Sequence, residues 1–290
     1  MVNWPSSLVD AIARRKAVII IGSGVSANAS DANGAHPPTW AEFLLSACES
    51  IPPANARLGS LVKKALKSNN YLHACELLKR AHGGDWSNIV RSHFQTPNYR
   101  PAKIHEHIFN LDTRIVISLN FDSIYDRYAL SKSEGTFYVK NYHDDDIAQL
   151  ISGPDRYLIK AHGSIDTIGK LIFTQVDYAK ARIKHSDFYK ILDSILLLNT
   201  VVMIGCGVSD PDMQLIFENN RFLFNTNSHY MVLPKGTADE DRQIYEDSRG
   251  IRIIEFRAKK RDYSDLTNSL AELVTQVEDR RQAISTAMDW

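Results

Sequence analysis

The sequence is poor in the features that mark several large classes of protein. Among its 290 residues are only three cysteines, Cys48, Cys75 and Cys206, and they lie far apart. An odd number of separated cysteines with no Cys-x-x-Cys pair supports neither a disulfide framework nor a cysteine-bound structural zinc. The 34 basic and 34 acidic residues cancel, so no overall charge draws the chain to nucleic acid or to an acidic membrane.

Long apolar runs are missing as well. The longest, for example 17–21 and 201–204, are far shorter than the roughly 20 residues that cross a bilayer as a helix. The first residues also lack the apolar core of a signal peptide. We therefore expect a cytoplasmic protein that needs no metal ion, contacts no membrane and does not bind nucleic acid directly.

Five or six short apolar segments alternate with helical patterns along the chain. Such segments are typical of parallel strands that are buried on both faces. The sequence therefore predicts an α/β fold, a Rossmann-like parallel sheet with helices on both faces. The predicted strands are 17–21, 114–118, 156–160, 200–204, 229–233 and 251–255.

A long helical stretch interrupts this pattern. About ninety residues separate the first two predicted strands, and Thr39 can cap a helix that begins at Trp40. A single crossover between parallel strands does not need so much helix. We therefore predict an inserted all-helical subdomain over 41–104, within a Rossmann-like domain that consists of 1–40 and 105–290.

The first predicted strand ends in a glycine-rich turn, Gly22-Ser23-Gly24-Val25-Ser26. Two glycines directly after a buried strand let the backbone turn tightly and approach a pyrophosphate, with N–H groups pointing at it. Ser23 and Ser26 add hydroxyl donors. The third glycine of the dinucleotide fingerprint is absent, so the turn indicates a phosphate site only together with other segments.

Two further strand ends carry polar side chains. Asn120 and Asp122 follow the strand at 114–118, and His162 follows the strand at 156–160. Because parallel strands end at one edge of a sheet, these side chains can converge on one ligand. An asparagine can hold a ribose hydroxyl or a water, and histidine is the natural base near neutral pH. The alternatives are structural: Asp122 as a helix cap, and His162 as an ordinary buried histidine.

A fourth strand end has the sequence Gly205-Cys206-Gly207-Val208-Ser209-Asp210-Pro211. Glycines again end a strand, and Ser209 or Asp210 can cap a helix that has Pro211 at its first position. A helix N-terminus beside a glycine turn is a second place for a phosphate or a ribose.

Together the four segments resemble the sirtuin (SIR2) fold family, and more closely its bacterial SIR2-like branch associated with antiphage defence. The turn at 22–26 is similar to the family's Gly-Ala-Gly-x-Ser, and 118–122 to its Thr-x-Asn-x-Asp. His162-Gly163 is similar to its His-Gly, and 205–209 to its late glycine turn. The defence branch also has a Pro-x-Trp segment and an Asp-Pro pair, which resemble Pro38-Thr39-Trp40 and Asp210-Pro211.

The resemblance implies a site that binds NAD as its substrate and cleaves the nicotinamide–ribose bond. By this analogy Asn120 orients the nicotinamide ribose and an attacking water, His162 acts as base on the ribose hydroxyls, and Asp122 holds the carboxamide. The glycine turns supply the remaining binding residues. These are Gly22, Ser23, Gly24 and Ser26 at the pyrophosphate, and Gly205, Gly207 and Ser209 in the late turn, with Ser209 near the adenosine ribose.

Two departures from the protein-deacetylating sirtuins point away from acyl-lysine as substrate. Those enzymes have four zinc-binding cysteines, which this chain cannot supply, and a glutamine where this chain has Leu119. Hydrolysis of NAD to nicotinamide and ADP-ribose, by an NAD-depleting effector of antiphage defence, is the simpler interpretation. The alternatives are a module that senses NAD or ADP-ribose without turnover, and a zinc-free NAD-dependent protein deacylase.

An enzyme that depletes NAD has to be held inactive until it is triggered. Related effectors are gated by oligomer packing or by a partner such as a HerA-like ATPase or an Argonaute-type protein. The resemblance therefore implies a homo-oligomer with a separate regulatory partner, or a fragment of a longer protein.

Overall fold

A parallel sheet of seven strands forms the centre of the computed structural model, which describes residues 1–148, 153–207, 210–224, 229–259 and 262–288. The strands are β1 (Ala17–Ile21), β2 (Ile115–Ser118), β3 (Phe137–Asn141), β4 (Arg156–Lys160), β5 (Thr200–Ile204), β6 (His229–Pro234) and β7 (Ile251–Phe256). Their order across the sheet is β3-β4-β2-β1-β5-β6-β7, and each neighbouring pair is parallel. The predicted Rossmann-like α/β fold is confirmed.

The helices of the described residues are numbered here in chain order. They are α1 (Ser6–Ala13), α2 (Ser23–Ser26), α3 (Trp40–Glu49), α4 (Ala56–Lys67), α5 (Tyr71–His82), α6 (Trp86–Phe94), α7 (Lys103–Asn110), α8 (Ile124–Lys132), α9 (Gln175–Lys184), α10 (Ser186–Leu198), α11 (Pro211–Phe224), α12 (Asp239–Arg249) and α13 (Ser264–Ala287). Short 3-10 helices lie at Pro53–Asn55, Gly83–Asp85 and Ile165–Lys170. None of the described helices is long and apolar enough to cross a membrane.

Helices cover both faces of the sheet, as predicted. The side chains of β1 alternate between two hydrophobic clusters, with Ile19 and Ile21 in one and Val18 and Ile20 in the other. The first cluster contains residues of α1, α7, α8 and α13, and the second contains residues of α9, α10 and α11. Because both faces are covered, apolar residues occupy consecutive positions of the strand.

Strand β3 is the element that the sequence analysis missed. It lies at the edge of the sheet and pairs with β4 alone among the described strands. Phe137 is its one buried residue, and Tyr138 is 46% exposed. An edge strand that is covered on one face lacks the continuous apolar run by which the other strands were identified.

The helices α3 to α6 lie between β1 and β2 in the chain and share a hydrophobic cluster. Phe43 and Leu78 are fully buried in it, and Phe121 and Phe173 from loops of the sheet domain join them. Thr39 caps α3 in a reciprocal capping box, which confirms the predicted helix start. The division into an inserted subdomain at 41–104 and a domain of 1–40 and 105–290 stays a prediction.

The chain changes its direction of travel across the sheet at β1. It first adds β2, β3 and β4 on one side of β1 and then crosses back to add β5 on the other side. At such a switch point in an α/β sheet, the loops after the two adjacent strands mark the place at the carboxyl edge where ligands bind. Here these loops follow Ile21 and Ile204.

Candidate active site

A cavity of about 540 Å³ lies at this switch point. The predicted site residues that line it are Gly22, Ser23, Ser26, Asn120, Asp122, His162 and Gly207. Gly24 and Gly205 do not line it, and Ser209 lies outside the described residues. The structure thus brings the first three predicted strand ends, and part of the fourth, to one place, and the roles assigned to them stay predictions.

The two glycine turns pack directly against each other. The Gly22 N–H donates to the Ile204 carbonyl at 3.1 Å, and the Gly24 N–H donates to the Gly205 carbonyl at 2.8 Å. A Cβ atom at Gly24 would lie 2.8 Å from the Cα of Gly205. These glycines therefore allow one backbone to approach another, and their two N–H groups are already paired within the protein.

Gly205 combines this close packing with a left-handed backbone conformation. Its φ is +66°, and an added Cβ would lie 2.5 Å from the Val25 nitrogen. We expect Gly205→Ala to lower the free energy of unfolding by about 1 to 2 kcal/mol through the backbone conformation, and by about 1 to 3 kcal/mol more through the overlap. Urea unfolding measures the effect.

Gly207 provides the matched control, since it belongs to the same turn and an added Cβ would meet nothing within 4 Å. Gly207→Ala is expected to change the free energy of unfolding by less than about 0.5 kcal/mol. Equal effects of the two substitutions would contradict this account of the turn.

Asn120 is oriented by a chain of hydrogen bonds. Its Nδ2 donates to Ser26 Oγ at 2.9 Å, and Ser26 Oγ donates to Asp122 Oδ2 at 2.7 Å. The Ser26 hydroxyl has a single proton and gives it to the carboxylate, so Ser26 can only accept from the amide nitrogen of Asn120. The amide oxygen of Asn120, which has no bond to another described residue, is left to accept from a molecule in the cavity.

Asp122 is bonded to two different segments, and its predicted contact with the carboxamide stays a prediction. Its Oδ1 accepts from the Ile124 N–H at 3.0 Å at the start of α8, which is a capping bond, and its Oδ2 holds Ser26. The side chain is buried and lines the cavity. The Ser26 hydroxyl, expected at a pyrophosphate, is instead engaged in fixing Asn120 and Asp122.

Lys160 supports this segment from inside the protein. The lysine is fully buried at the end of β4, and its ammonium donates to the Asp122 carbonyl and lies 3.1 Å from Asp126 Oδ2. A buried charge is tolerated only when it is paired and hydrogen-bonded. The sequence showed Lys160 merely as the last residue of a strand, and its role follows from the contact with α8.

His162 has partners at both ring nitrogens. Nδ1 lies 3.1 Å from the Leu119 carbonyl, and Nε2 lies 2.9 Å from Asp210 Oδ2. Tyr178, on α9, donates its hydroxyl to the same carboxylate oxygen at 2.6 Å. All three side chains are buried and line the cavity.

The opposite charges of His162 and Asp210 stabilise each other and shift both pKa values. Burial, the largest single influence, lowers the pKa of His162, but Asp210 together with the Leu119 carbonyl and Asp212 outweighs it, and the pKa of His162 lies above its ordinary value. Burial likewise raises the pKa of Asp210, but His162 together with the hydrogen bonds from Tyr178 and Met213 outweighs it, and the pKa of Asp210 lies below its ordinary value. The two side chains therefore form a buried ion pair.

Asp210 and Tyr178 are functional candidates that the sequence analysis did not find. The sequence offers Asp210 as a helix cap, and the structure agrees, because its Oδ1 accepts from the N–H groups of Asp212 and Met213. Its second oxygen and Tyr178 come together only through the packing of α9 against the sheet. The sequence contained one signal for this contact. Asp210 follows the glycine turn after β5, at the same edge of the sheet as His162.

The wall opposite the sheet is formed by residues of the helical stretch together with Phe121 and Phe173, which come from loops of the sheet domain. Trp40 stacks on Phe173 with ring centroids 5.6 Å apart, and Phe173 lies 4.3 Å from Phe121. Residues 69–72, at the start of α5, complete this wall. Within the described residues there is no group of three or more His, Cys, Asp or Glu side chains that could hold a metal ion.

Comparison with protein families identifies this architecture. Residues 114–254, which run from β2 to β7 and include Asn120, His162 and Asp210, match the SIR2-like domain family. The chain contains a SIR2-like domain. The resemblance inferred from the four strand ends is thereby confirmed, and the SIR2-like domain holds the sheet-side residues of the cavity other than those of the first glycine turn.

Two curated relatives are similar to the chain beyond the SIR2-like domain. One is named defence-associated sirtuin 2, from Bacillus subtilis, and is 22% identical over 92% of this chain and 26% of its own length. The other is named NAD(+) hydrolase ThsA, from Enterococcus faecium, and is 22% identical over 58% of this chain and 39% of its own length. The chain thus spans well under half of either relative. The names of these two relatives refer to defence in one case and to hydrolysis of NAD in the other.

Proposed function

We propose that the protein hydrolyses NAD to nicotinamide and ADP-ribose, as an NAD-depleting effector of antiphage defence. The observation that carries the proposal is the fixed amide of Asn120, whose oxygen is left for a molecule in the cavity while Ser26 and Asp122 hold its nitrogen. An amide oxygen that is held in one orientation can stabilise the charge that develops on a bound ribose without reorganising during the reaction. The names of the two relatives support the same activity.

The chemistry requires three functions of the site. Cleavage of the nicotinamide–ribose bond develops positive charge on the sugar, as in other glycosyl cleavages. The site has to stabilise that charge, hold the leaving group and place a water. A dipole that is oriented in advance stabilises developing charge without having to reorganise during the reaction.

In our proposal the amide oxygen of Asn120 faces the ribose and the attacking water. His162 accepts a proton from a ribose hydroxyl when its Nε2 is free. Asp122 binds the nicotinamide carboxamide beside the apolar wall of Trp40 and Phe173, and the turn at 22–26 lies along the pyrophosphate. The supporting fact is that these side chains and three residues of the turn, Gly22, Ser23 and Ser26, line one cavity.

The proposal is tested by incubating the purified protein with NAD, alone and with candidate partners, and separating the products by chromatography. We expect nicotinamide and ADP-ribose in equal amounts. Binding of NAD by calorimetry with no nicotinamide release under any of these conditions would instead establish a sensing module. Release of nicotinamide only in the presence of an acylated peptide would establish a zinc-free deacylase.

Regulation and location are part of the same proposal. We place the enzyme in the cytoplasm, as a homo-oligomer whose activity is released by a separate partner such as a HerA-like ATPase or an Argonaute-type protein. Constant NAD hydrolysis would deplete the cell that makes the enzyme, so activity has to depend on a trigger. Light scattering of the purified protein, with and without NAD, measures the oligomeric state.

A further inference from the structure

We propose that Asp210 is a positioning residue that keeps both ring nitrogens of His162 protonated in the resting protein. His162 then becomes a base only after the Nε2 proton has passed to solvent water. The part of this proposal that concerns catalysis rests on the proposed function, in which His162 is the base. The part that concerns the protonation state of His162 does not depend on it.

The protons on His162 follow from the partners of its ring. A carbonyl oxygen can only accept, so the contact of Nδ1 with Leu119 places a proton on Nδ1. Nε2 faces a carboxylate oxygen of Asp210 at 2.9 Å, and that contact also requires a proton between the two atoms. With both nitrogens donating, neither is available to take a proton from a substrate.

The bonds to Asp210 decide which of the two side chains carries this shared proton. A carboxylate accepts at about four positions, and Asp210 has four donors: the N–H groups of Asp212 and Met213 on Oδ1, and Tyr178 and His162 on Oδ2. A carboxyl group that accepts four hydrogen bonds has no room for a proton of its own. The proton therefore belongs to His162, in agreement with the raised pKa of His162 and the lowered pKa of Asp210.

Other charged and titratable groups around the ring make smaller contributions. Asp212 lies two residues after Asp210, and its carboxylate is paired with Arg182 of α9 at 2.6 Å. Burial raises the pKa of Cys206, in the late glycine turn, to about 12, so its thiol is neutral. Among the described residues, the other titratable groups that line the same cavity are Asp122, Tyr71 and Tyr178, and Tyr189 contacts Asp212.

The decisive variant is Asp210→Asn. Asparagine caps a helix as well as aspartate does, so its carbonyl oxygen can keep the bonds to Asp212 and Met213. Its amide nitrogen would face Nε2 as a donor, which favours the neutral ring. We expect the midpoint of the His162 titration, followed by NMR of the histidine side chains and assigned with His162→Gln, to fall by about 1 to 3 pH units.

Two further variants separate this effect from a general disturbance. Asp212→Asn removes the same charge at the start of the same helix but no bond to His162, so we expect a much smaller fall. Tyr178→Phe removes a competing donor from Asp210 Oδ2 and leaves the ion pair in place, so the midpoint should stay or rise. A fall in all three variants alike would overturn the proposal.

Enzymatic turnover gives an independent readout. If His162 is the base, the acid limb of kcat/KM for NAD should move to lower pH in Asp210→Asn, in step with the NMR titration. An unchanged NMR midpoint in this variant overturns the role of Asp210, whether or not NAD is cleaved. A lowered midpoint in a protein that never cleaves NAD supports the role of Asp210 in holding the ring and overturns the proposed function.

Discussion

Replacement of Asn120 by alanine is expected to lower the rate of NAD cleavage by about 10²- to 10⁴-fold. The substitution removes the amide oxygen that we place at the ribose and the attacking water. Asn120 is only partly buried, and its bond to Ser26 is its one side-chain link to another described segment, so the fold should remain. Turnover is followed as nicotinamide release, and the fold by circular dichroism; full activity in the folded variant would remove Asn120 from the mechanism.

Ser26→Ala distinguishes two roles for the serine. If Ser26 fixes the Asn120 amide, as the bonds indicate, the variant should lose kcat while KM for NAD changes little. If Ser26 binds the pyrophosphate, as the sequence suggested, KM should rise and kcat should hold. The loss of kcat in Ser26→Ala, divided by the loss in Asn120→Ala, also shows how much of the contribution of Asn120 depends on the orientation of its amide.

Lys160→Met is expected to be the most destabilising single substitution near the site, by about 3 to 5 kcal/mol in the free energy of unfolding. It leaves the Asp126 carboxylate buried without its ammonium partner and the Asp122 carbonyl without a donor. Burial already raises the pKa of Asp126 above its ordinary value. Without Lys160 the native carboxyl binds a proton still more tightly than the unfolded one, so the loss should be larger in alkaline than in acidic buffer.

Two controls accompany this prediction. Lys180→Met removes a lysine that is exposed on α9, and it should change stability by less than about 0.5 kcal/mol. Adding Asp126→Leu to Lys160→Met removes the orphaned carboxylate and should recover much of the loss. Urea unfolding midpoints measure all three, and a Lys160→Met midpoint equal to that of Lys180→Met would contradict the importance of the buried pair.

The fold could be predicted where burial on both faces of a strand produces a continuous run of apolar residues in the sequence. β1, β2, β4 and β5 are covered on both faces, so their apolar runs and the glycines after β1 and β5 located the strands and the carboxyl edge. β3 has no such apolar run, because one of its faces is exposed. The capping box at Thr39 is a local pattern, and it was therefore predictable as well.

The site could be predicted as a set of residues but not as a network. Asn120 and His162 follow parallel strands that end at one edge of the sheet, so their proximity was predictable. The bond from Ser26 to Asp122 and the three-way contact of Asp210, Tyr178 and His162 depend on how loops and helices meet in space. Ninety-four residues separate Ser26 from Asn120, and no spacing rule connects positions so far apart.

The contact between the glycine turns limits how the cavity can open. Because the backbones of Gly24 and Gly205 touch and are hydrogen-bonded, the floor of the cavity behaves as one solid piece joined to the centre of the sheet. Any change in the width of the cavity would then have to come from the facing wall, which includes Trp40 and residues 69–72.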